Sequence, residues 1–380
     1  MILTVAGPEW KAALRDAAGF WAAGPALDQQ TPDEAVISLA TRPTAYRAVA
    51  VEAAAAGAWF DTLLDLTLGD TDRPVPLLLL GETAGQNRLN GTPALHRPID
   101  VDRLRDGLQS AFVNAAQQAA PQLLQTFADV ESIRTRYQPI IRLADRRPST
   151  IEILARIQHE SGALAGPQAI IAAMTGSDDA MALSRAIVAH ALRERQESRF
   201  DDLQLSFAFN LPLDAILHPS LHAMLDKLHE QQNLPPESLR FELTETKPVS
   251  DLPAIARVID QLLEAGYRVA LDDITPATPN LAALLELPFR AVKLDRFIVT
   301  GTRSRHARTA ASNRAFIESI SAQAQKTGRA VIAEGIESET TSRLMQTLGA
   351  THGQGYLFAR PLPANALRPW LSHWLMMLGK

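Results

Sequence analysis

Carboxylates recur at the ends of short apolar runs through the second part of this sequence. The sharpest case is Arg268-Val269-Ala270-Leu271-Asp272-Asp273, where a run suited to a strand buried on both faces ends in two adjacent acids. Glu152 lies in Thr150-Ile151-Glu152-Ile153-Leu154-Ala155-Arg156, and Asn210 ends Leu205-Ser206-Phe207-Ala208-Phe209-Asn210. Glu242 and Glu245 share Phe241-Glu242-Leu243-Thr244-Glu245, Lys293 sits in Val292-Lys293-Leu294-Asp295, and Glu334 and Glu337 flank Gly335-Ile336. Gln354 follows in His352-Gly353-Gln354-Gly355-Tyr356. Taken singly, each suits a solvated or paired polar residue at a strand end. Gathered at one mouth, several buried carboxylates without cations are costly, because an unpaired charge is expensive to desolvate. An oxygen-rich set with an amide and no His or Cys suits hard divalent ions, magnesium or manganese before zinc. Two such ions stabilise an in-line displacement at phosphorus. Lys293 is then placed to orient or deprotonate water, or to stabilise charge building on phosphorus.

Such residues need strands to hold them, and the chain from Tyr137 onward supplies a regular series. Apolar runs near 137–142, 150–157, 204–210, 239–245, 268–273, 290–295, 330–335 and 353–358 alternate with helical patterns. Before Arg268, for example, Ile255, Val258, Ile259, Leu262 and Leu263 recur at helical spacing and Gly266 closes the helix. A short helix is expected from Asn280 to Leu287. Eight strands on this scale predict a (β/α)8 barrel of the TIM type, with chemistry at the carboxyl ends of its strands. The link Arg146-Arg147-Pro148-Ser149 is too short for a crossover helix, so one strand must run antiparallel.

The first part of the chain reads as a smaller α/β module. Residues 2–6 suit a strand, Pro8 to Ala23 a helix with Pro at its start, and Ala35 to Ala40 a second strand. An Ala-rich helix is expected from about Thr44 to Leu68, then strands at Val75 to Leu80 and Pro93 to Ile99. Residues 101–136 suit a linker helix with apolar positions at Leu104, Leu108, Phe112, Leu123, Leu124 and Phe127, interrupted by Pro121. Packing against the flanking domains and a dimer contact both fit that pattern. The domains are therefore 1–113, a helical linker over 114–136, and the barrel over 137–380.

Composition bounds the partners. Of 380 residues, 46% are hydrophobic and 21% charged, which is ordinary for a globular chain with a sizeable core. A net charge of −5 argues against DNA as a partner. The absence of cysteine removes disulfides, thiolate zinc sites and thiol nucleophiles. The opening residues lack a signal-peptide pattern and no apolar run reaches membrane length, so a cytoplasmic protein without a membrane partner is expected.

The motifs of the second part are similar, in order and spacing, to those of the EAL-domain cyclic di-GMP phosphodiesterases. Tyr137-Gln138-Pro139-Ile140 resembles that family's opening, and Glu152-Ile153-Leu154 stands where its Glu-Ala-Leu triplet would be. Phe241 to Glu245, Lys293-Leu294-Asp295, Ala333 to Glu337 and Gln354 to Pro361 continue the match, which covers Tyr137 to about Trp370. The resemblance implies that Glu152, Asn210, Glu242 and Asp272 hold one Mg2+ or Mn2+ and that Asp272 bridges to a second beside Asp273. Glu334 and Gln354 would complete the site, directly or through water. Lys293 would position the attacking hydroxide, with Glu152 and Glu334 in the catalytic set, and Glu245 would anchor the loop after the Asp pair. Gln138, Leu154, Arg156, Asp295, Gln354 and Glu337 fall at substrate-contacting positions, Arg156 through a phosphate. The implied reaction opens cyclic di-GMP to linear pGpG, and a homodimer is expected.

Two departures bear on this. Where the family continues the Asp pair with Phe-Gly-Thr-Gly, this chain has Ile274-Thr275-Pro276-Ala277, exchanging two glycines for a fixed φ. Asn210-Leu211-Pro212 likewise replaces the usual Asn-Leu-Ser. Retained ligand positions favour an active phosphodiesterase; the altered loop favours a receptor that binds cyclic di-GMP without useful turnover. In the first part, Leu95-His96-Arg97-Pro98-Ile99-Asp100 resembles the end of response-regulator receiver domains, with Arg97 where a Lys is usual. Ala6-Gly7-Pro8 after the first strand and Ala40-Thr41-Arg42 after the supposed central one lack the family's acids. A divergent receiver that accepts no phosphate, serving a protein partner, and another small α/β module both fit.

Overall fold

In the computed structural model the described residues are 1–19, 26–41, 45–46, 48–68, 75–81, 94–95, 104, 133–158, 164–165, 176–198, 200, 205–232, 235–244 and 251–379. The chain divides into two compact units, one of Met1–Arg134, Ala155–Ala173 and Pro361–Met377, the other of Thr135–Leu154, Met174–Arg360 and Leu378–Lys380.

The first unit carries a parallel sheet of β1 (Ile2–Val5), β2 (Leu27–Gln29), β3 (Ala48–Glu52), β4 (Leu77–Leu80) and β5 (Ala94–Leu95). Their order β2-β1-β3-β4-β5 is doubly wound, with its switch point between β1 and β3. Three expectations fail here. Ala35 to Ala40 is not a strand but lies within the helix Pro32–Thr41. Its apolar run buries Ala35, Val36, Leu39 and Ala40, and a short run alone does not tell a strand from a buried helix. The deciding signal was Thr31-Pro32-Asp33-Glu34: Glu34 Oε2 accepts from the Thr31 N–H at 3.0 Å, Pro occupies the first turn, and acids follow it. The expected helix from Thr44 to Leu68 opens instead as β3, since Val49 and Val51 are buried on one face of a central strand and Ala48 and Ala50 on the other. Helix then runs over Ala53–Ala56 and Phe60–Leu68. The true central strand thus ends at Glu52, not Ala40. The linker helix expected up to residue 136 gives way to strand by Ile133. Residues 105–132, with the apolar positions from Leu108 to Phe127, and Arg97-Pro98 lie outside the described residues; Leu104 is buried beside Trp10 and Leu14. The helix Ala364–Leu378 belongs to this unit, with Trp370 buried and Asn365 Nδ2 donating to Thr62 Oγ1.

The second part of the chain forms the barrel. Its strands are β6 (Ile133–Arg142), β7 (Pro148–Gln158), β9 (Ser206–Pro212), β10 (Leu239–Thr244), β11 (Arg268–Ile274), β12 (Ala291–Leu294), β13 (Ala330–Ala333) and β14 (His352–Gly353). A short β8 (Leu164–Ala165) pairs antiparallel with β7. The order runs β6-β14-β13-β12-β11-β10-β9-β7, and β6 pairs with β7 to close the ring of eight. As the short link required, β6 is the antiparallel member, pairing with β14 through Arg142↔His352. The turn into β7 places Arg146 at φ 62 and ties Asp145 to the Arg142 guanidinium at 2.7 Å.

Local signals explain the crossovers. The helix Leu252–Glu264 starts where Asp251 accepts from the Ala254 N–H, and it buries Ile255, Ile259 and Leu262 along one face. It ends at Gly266, whose φ of 92 suits glycine. Ser338 caps the helix Glu339–Thr347 through the Thr341 N–H. Within the strands, period-two alternation sends Glu152, Glu242, Asp272, Lys293 and Glu334 to the same side as Thr150, Arg240, Ala270, Ala291 and Ile332 respectively.

Candidate active site

Lys293 stands at the centre of this inward layer. Its Nζ lies 2.7 Å from Glu334 Oε1, 2.8 Å from Glu242 Oε2, 3.0 Å from Asp272 Oδ1 and 3.5 Å from Glu152 Oε2. The ammonium is 1% exposed. Burial works to discharge it, but the four carboxylates outweigh burial and hold it firmly protonated.

One ammonium does not satisfy four carboxylates, and the shortfall shows in their titration. Burial works against the ionised form of Glu152, yet Lys293 and hydrogen bonds from Asn210 and Gln354 hold it below its ordinary range. Asn210 Nδ2 donates to Glu152 Oε1 at 2.9 Å, and Gln354 Nε2 donates to Glu152 Oε2 at 2.6 Å. Glu242 has no such support. Burial pushes it well up, Lys293 offsets part of that, and Glu152 and Asp272 push it further. Asp272 is raised by burial and by Glu152, against the pull of Lys293. Glu334 is pushed up to about 8, by burial first and then by Asp272 and Glu152 against Lys293.

That imbalance is what a cation would relieve. Carboxylate oxygens of Glu152, Glu242 and Asp272 lie within 4.8 Å of one another, and so do those of Asp272, Asp273 and Glu334, with Asp272 common to both groups. Gln354 Oε1 is buried without a hydrogen-bond partner beside them. Oxygen donors at this spacing with unneutralised charge fit hard divalent ions.

Asp273 reaches this position through an irregularity. The pairing of β11 with β12 shifts register between Leu271 and Ile274, and Asp273 takes φ 50, a left-handed conformation that Asp tolerates better than most residues. Its N–H donates to Asp272 Oδ1 at 2.9 Å. Its carboxyl is pushed up to about 7, by desolvation and then by Asp272. The altered loop that follows closes on itself. Thr278 N–H donates to the Thr275 carbonyl at 3.1 Å around Pro276, Thr275 N–H donates to Thr278 Oγ1 at 2.8 Å, and Ala277 N–H donates to Thr275 Oγ1 at 3.1 Å.

Of the residues singled out in the sequence, Glu152, Asn210, Glu242, Asp272, Asp273, Lys293, Glu334 and Gln354 come together. Gln138 joins them, accepting from Gln354 Nε2 at 3.1 Å and donating to the Ala359 carbonyl at 3.1 Å. The Ala359 carbonyl carries no side-chain signal, so sequence reasoning could not have found it. Leu154 and Arg156 lie further along β7, with Arg156 Nη1 donating to the Ala155 carbonyl. Asp295 caps the helix Arg296–Gly301 by accepting from the Phe297 N–H at 2.6 Å. Glu337 is exposed beyond β13, and Glu245 lies outside the described residues.

The profile of the EAL domain matches residues 121–361. The chain belongs to the EAL domain family. Within it, the chain is 28% identical over 295 residues to the cyclic di-GMP phosphodiesterase RocR of Pseudomonas aeruginosa, covering 75% of this chain and 74% of RocR. It is 30% identical over 271 residues to the cyclic di-GMP phosphodiesterase NbdA of the same organism, covering 68% of this chain but 33% of NbdA. The barrel also superposes on the PaMucR phosphodiesterase in its c-di-GMP complex with a TM-score of 0.56 at 24% identity, over 62% of this chain and 94% of that one, a likeness of fold. RocR and NbdA are both named cyclic di-GMP phosphodiesterases, and the chain spans about three quarters of the one and a third of the other. Among the described residues, no helix is long and apolar enough to cross a membrane.

Proposed function

We propose that this EAL domain hydrolyses cyclic di-GMP to linear pGpG with two divalent ions, Mg2+ or Mn2+. The observation that carries the proposal is the pair of carboxylate groups sharing Asp272 around a buried, protonated Lys293. Divalent ions in those groups supply the electrostatic stabilisation that in-line displacement at phosphorus requires. Glu152, Glu242, Asp272 and Asn210 would hold one, and Asp272, Asp273 and Glu334 the other. Lys293 keeps a positive charge at the centre, placed to orient the water and to balance charge building on the phosphoryl oxygens. Glu334, pushed up to about 8 without an ion, would release that proton on taking its place as a ligand. Gln138 and Gln354 form a hydrogen-bonded pair at the edge of the acid layer, where the dinucleotide would lie.

A receptor reading rests on a different observation, the self-bonded Thr275–Thr278 turn in place of a glycine-rich loop. One experiment separates the two. Purified protein is given cyclic di-GMP with magnesium and then manganese, beside Glu152→Ala. Linear product from the wild type alone establishes the enzyme; micromolar binding by calorimetry without product makes the chain a receptor. For the first unit we infer a divergent receiver-like module. The strand order supports it, as does Glu52 at the end of β3, whose carboxylate already accepts from the Gly7 N–H at 2.6 Å. Such a module signals through a protein partner rather than by accepting phosphate.

A further inference from the structure

The acids occupy the carboxyl ends of the strands, and the opposite end of the same barrel carries the opposite charge. Arg240 and Arg268 sit at the amino ends of β10 and β11, and Arg290 immediately precedes β12. All three line one cavity, together with Thr150 on β7. Ala270 and Ala291 also line it, and their short side chains leave the space open. About 20 Å³ is enclosed, room for roughly one water-sized group, and the cavity opens outward past Arg268 and Arg290, which are exposed.

Two buried donors in this cavity lack partners. Thr150 is 3% exposed and its Oγ1 makes no hydrogen bond; Arg240 Nε is likewise buried and unbonded. A buried hydroxyl or guanidinium N–H left unsatisfied is costly, and native proteins generally fill such positions. Among the described residues no carboxylate comes within salt-bridge distance of Arg240, Arg268 or Arg290, although Glu242 attracts Arg240 from further off. Glu242 lines the inner end of the cavity, but its Oε2 is committed to Lys293 at 2.8 Å. The local balance is therefore positive, with forked donors at the rim and two unsatisfied donors inside.

We propose that the amino-terminal mouth of the barrel, formed by Arg240, Arg268, Arg290 and Thr150, is a binding site for a small inorganic oxyanion of the phosphate class. One oxygen fills the enclosed space against Thr150 Oγ1 and Arg240 Nε, and the remaining oxygens face the guanidiniums at the rim. Guanidinium forks match oxyanions in geometry as well as charge, which favours this class over a halide. The proposal does not rest on the phosphodiesterase reading, because its four donors are none of the proposed metal ligands, although Glu242 lines the inner end of the cavity.

The test uses the full chain in a chelator, so that no divalent ion can draw phosphate to the acid layer. Sodium phosphate is titrated by calorimetry at ionic strength held constant with sodium chloride, with wild type, Thr150→Val and Arg268→Gln/Arg290→Gln compared. The two arginines are exposed, so the double variant keeps the wild-type circular dichroism. Saturable one-site binding by the wild type is expected, weakened about a hundredfold in the double variant and about fivefold in Thr150→Val. Absence of saturable binding overturns the proposal, and so does binding of equal strength in the double variant.

Discussion

The strongest claim on the acid layer is that protons and divalent ions compete for it, and stability against pH measures that directly. Glu334 has an ordinary carboxyl value of 4.5 and is pushed up to about 8 in the folded chain. Between those values the folded state holds a proton that the unfolded state has released. Stability is therefore greater at the acid end of the window and falls as pH rises towards 8. One such proton gives a slope of about 1.4 kcal/mol per pH unit, so lowering the pH from 8 to 6 stabilises the metal-free barrel by roughly 2–3 kcal/mol. Glu242 and Asp272 are raised as well and act in the same direction; Glu152 is lowered and contributes only at more acid pH. Asp273 is too exposed for its shift to be counted in full. For a barrel of this size that is about 4–12 °C in the midpoint of its transition. The assay is thermal unfolding followed by circular dichroism in chelator at pH 8, 7 and 6, then with magnesium added. Magnesium displaces the extra protons, so it should stabilise more at pH 8 than at pH 6 and flatten the profile. Glu334→Gln should make it shallower without magnesium, leaving the part due to Glu242 and Asp272. A midpoint unmoved between pH 8 and 6 in chelator, with magnesium acting equally at both, would refute the account of the acid layer.

Two substitutions extend it. Lys293→Met leaves the carboxylates of Glu152, Glu242, Asp272 and Glu334 without their ammonium, and should cost about 3–5 kcal/mol at pH 8 in chelator, partly restored by magnesium, as read by urea unfolding. Gly355→Ala forces a Cβ to 2.3 Å from the Ile336 backbone N at φ +148, and should lower stability by about 3 kcal/mol or more while displacing Gln354, so denaturation midpoint and turnover fall together.

What the sequence revealed and what it hid follow the same physical division. The barrel was legible because each strand is buried on both faces and reads as a continuous apolar run, and because its acids interrupt those runs at fixed offsets. The 146–149 link forced the antiparallel β6, and chain length alone sufficed for that inference. In the first unit the same signal misled. The Ala35 to Ala40 run is as apolar as a strand but is set into a helix by Thr31 and Glu34 across its start, while Ala-rich β3 looks helical by propensity and is fixed as a strand by its two neighbours. Asp273's left-handed backbone and the Ala359 carbonyl are products of register and tertiary approach, which no residue type announces.

The altered loop is where the enzyme and receptor readings divide, and its geometry narrows what the alteration can do. Pro276 fixes one φ and occupies the second position of a turn whose free N–H groups are taken up by Thr275 and Thr278. The conformational freedom lost with the two glycines is thus confined to a turn that satisfies its own donors. The backbone adjustment required by the acid layer lies upstream, in the shifted register between Leu271 and Ile274 and the left-handed Asp273. The shift ends at Ile274, the first altered residue, which keeps its pairing with Leu294, so the self-bonded turn from Thr275 to Thr278 lies beyond what sets Asp272 and Asp273. A turn that satisfies its own donors beyond that pairing is compatible with the proposed phosphodiesterase, and the turnover assay decides between it and the receptor.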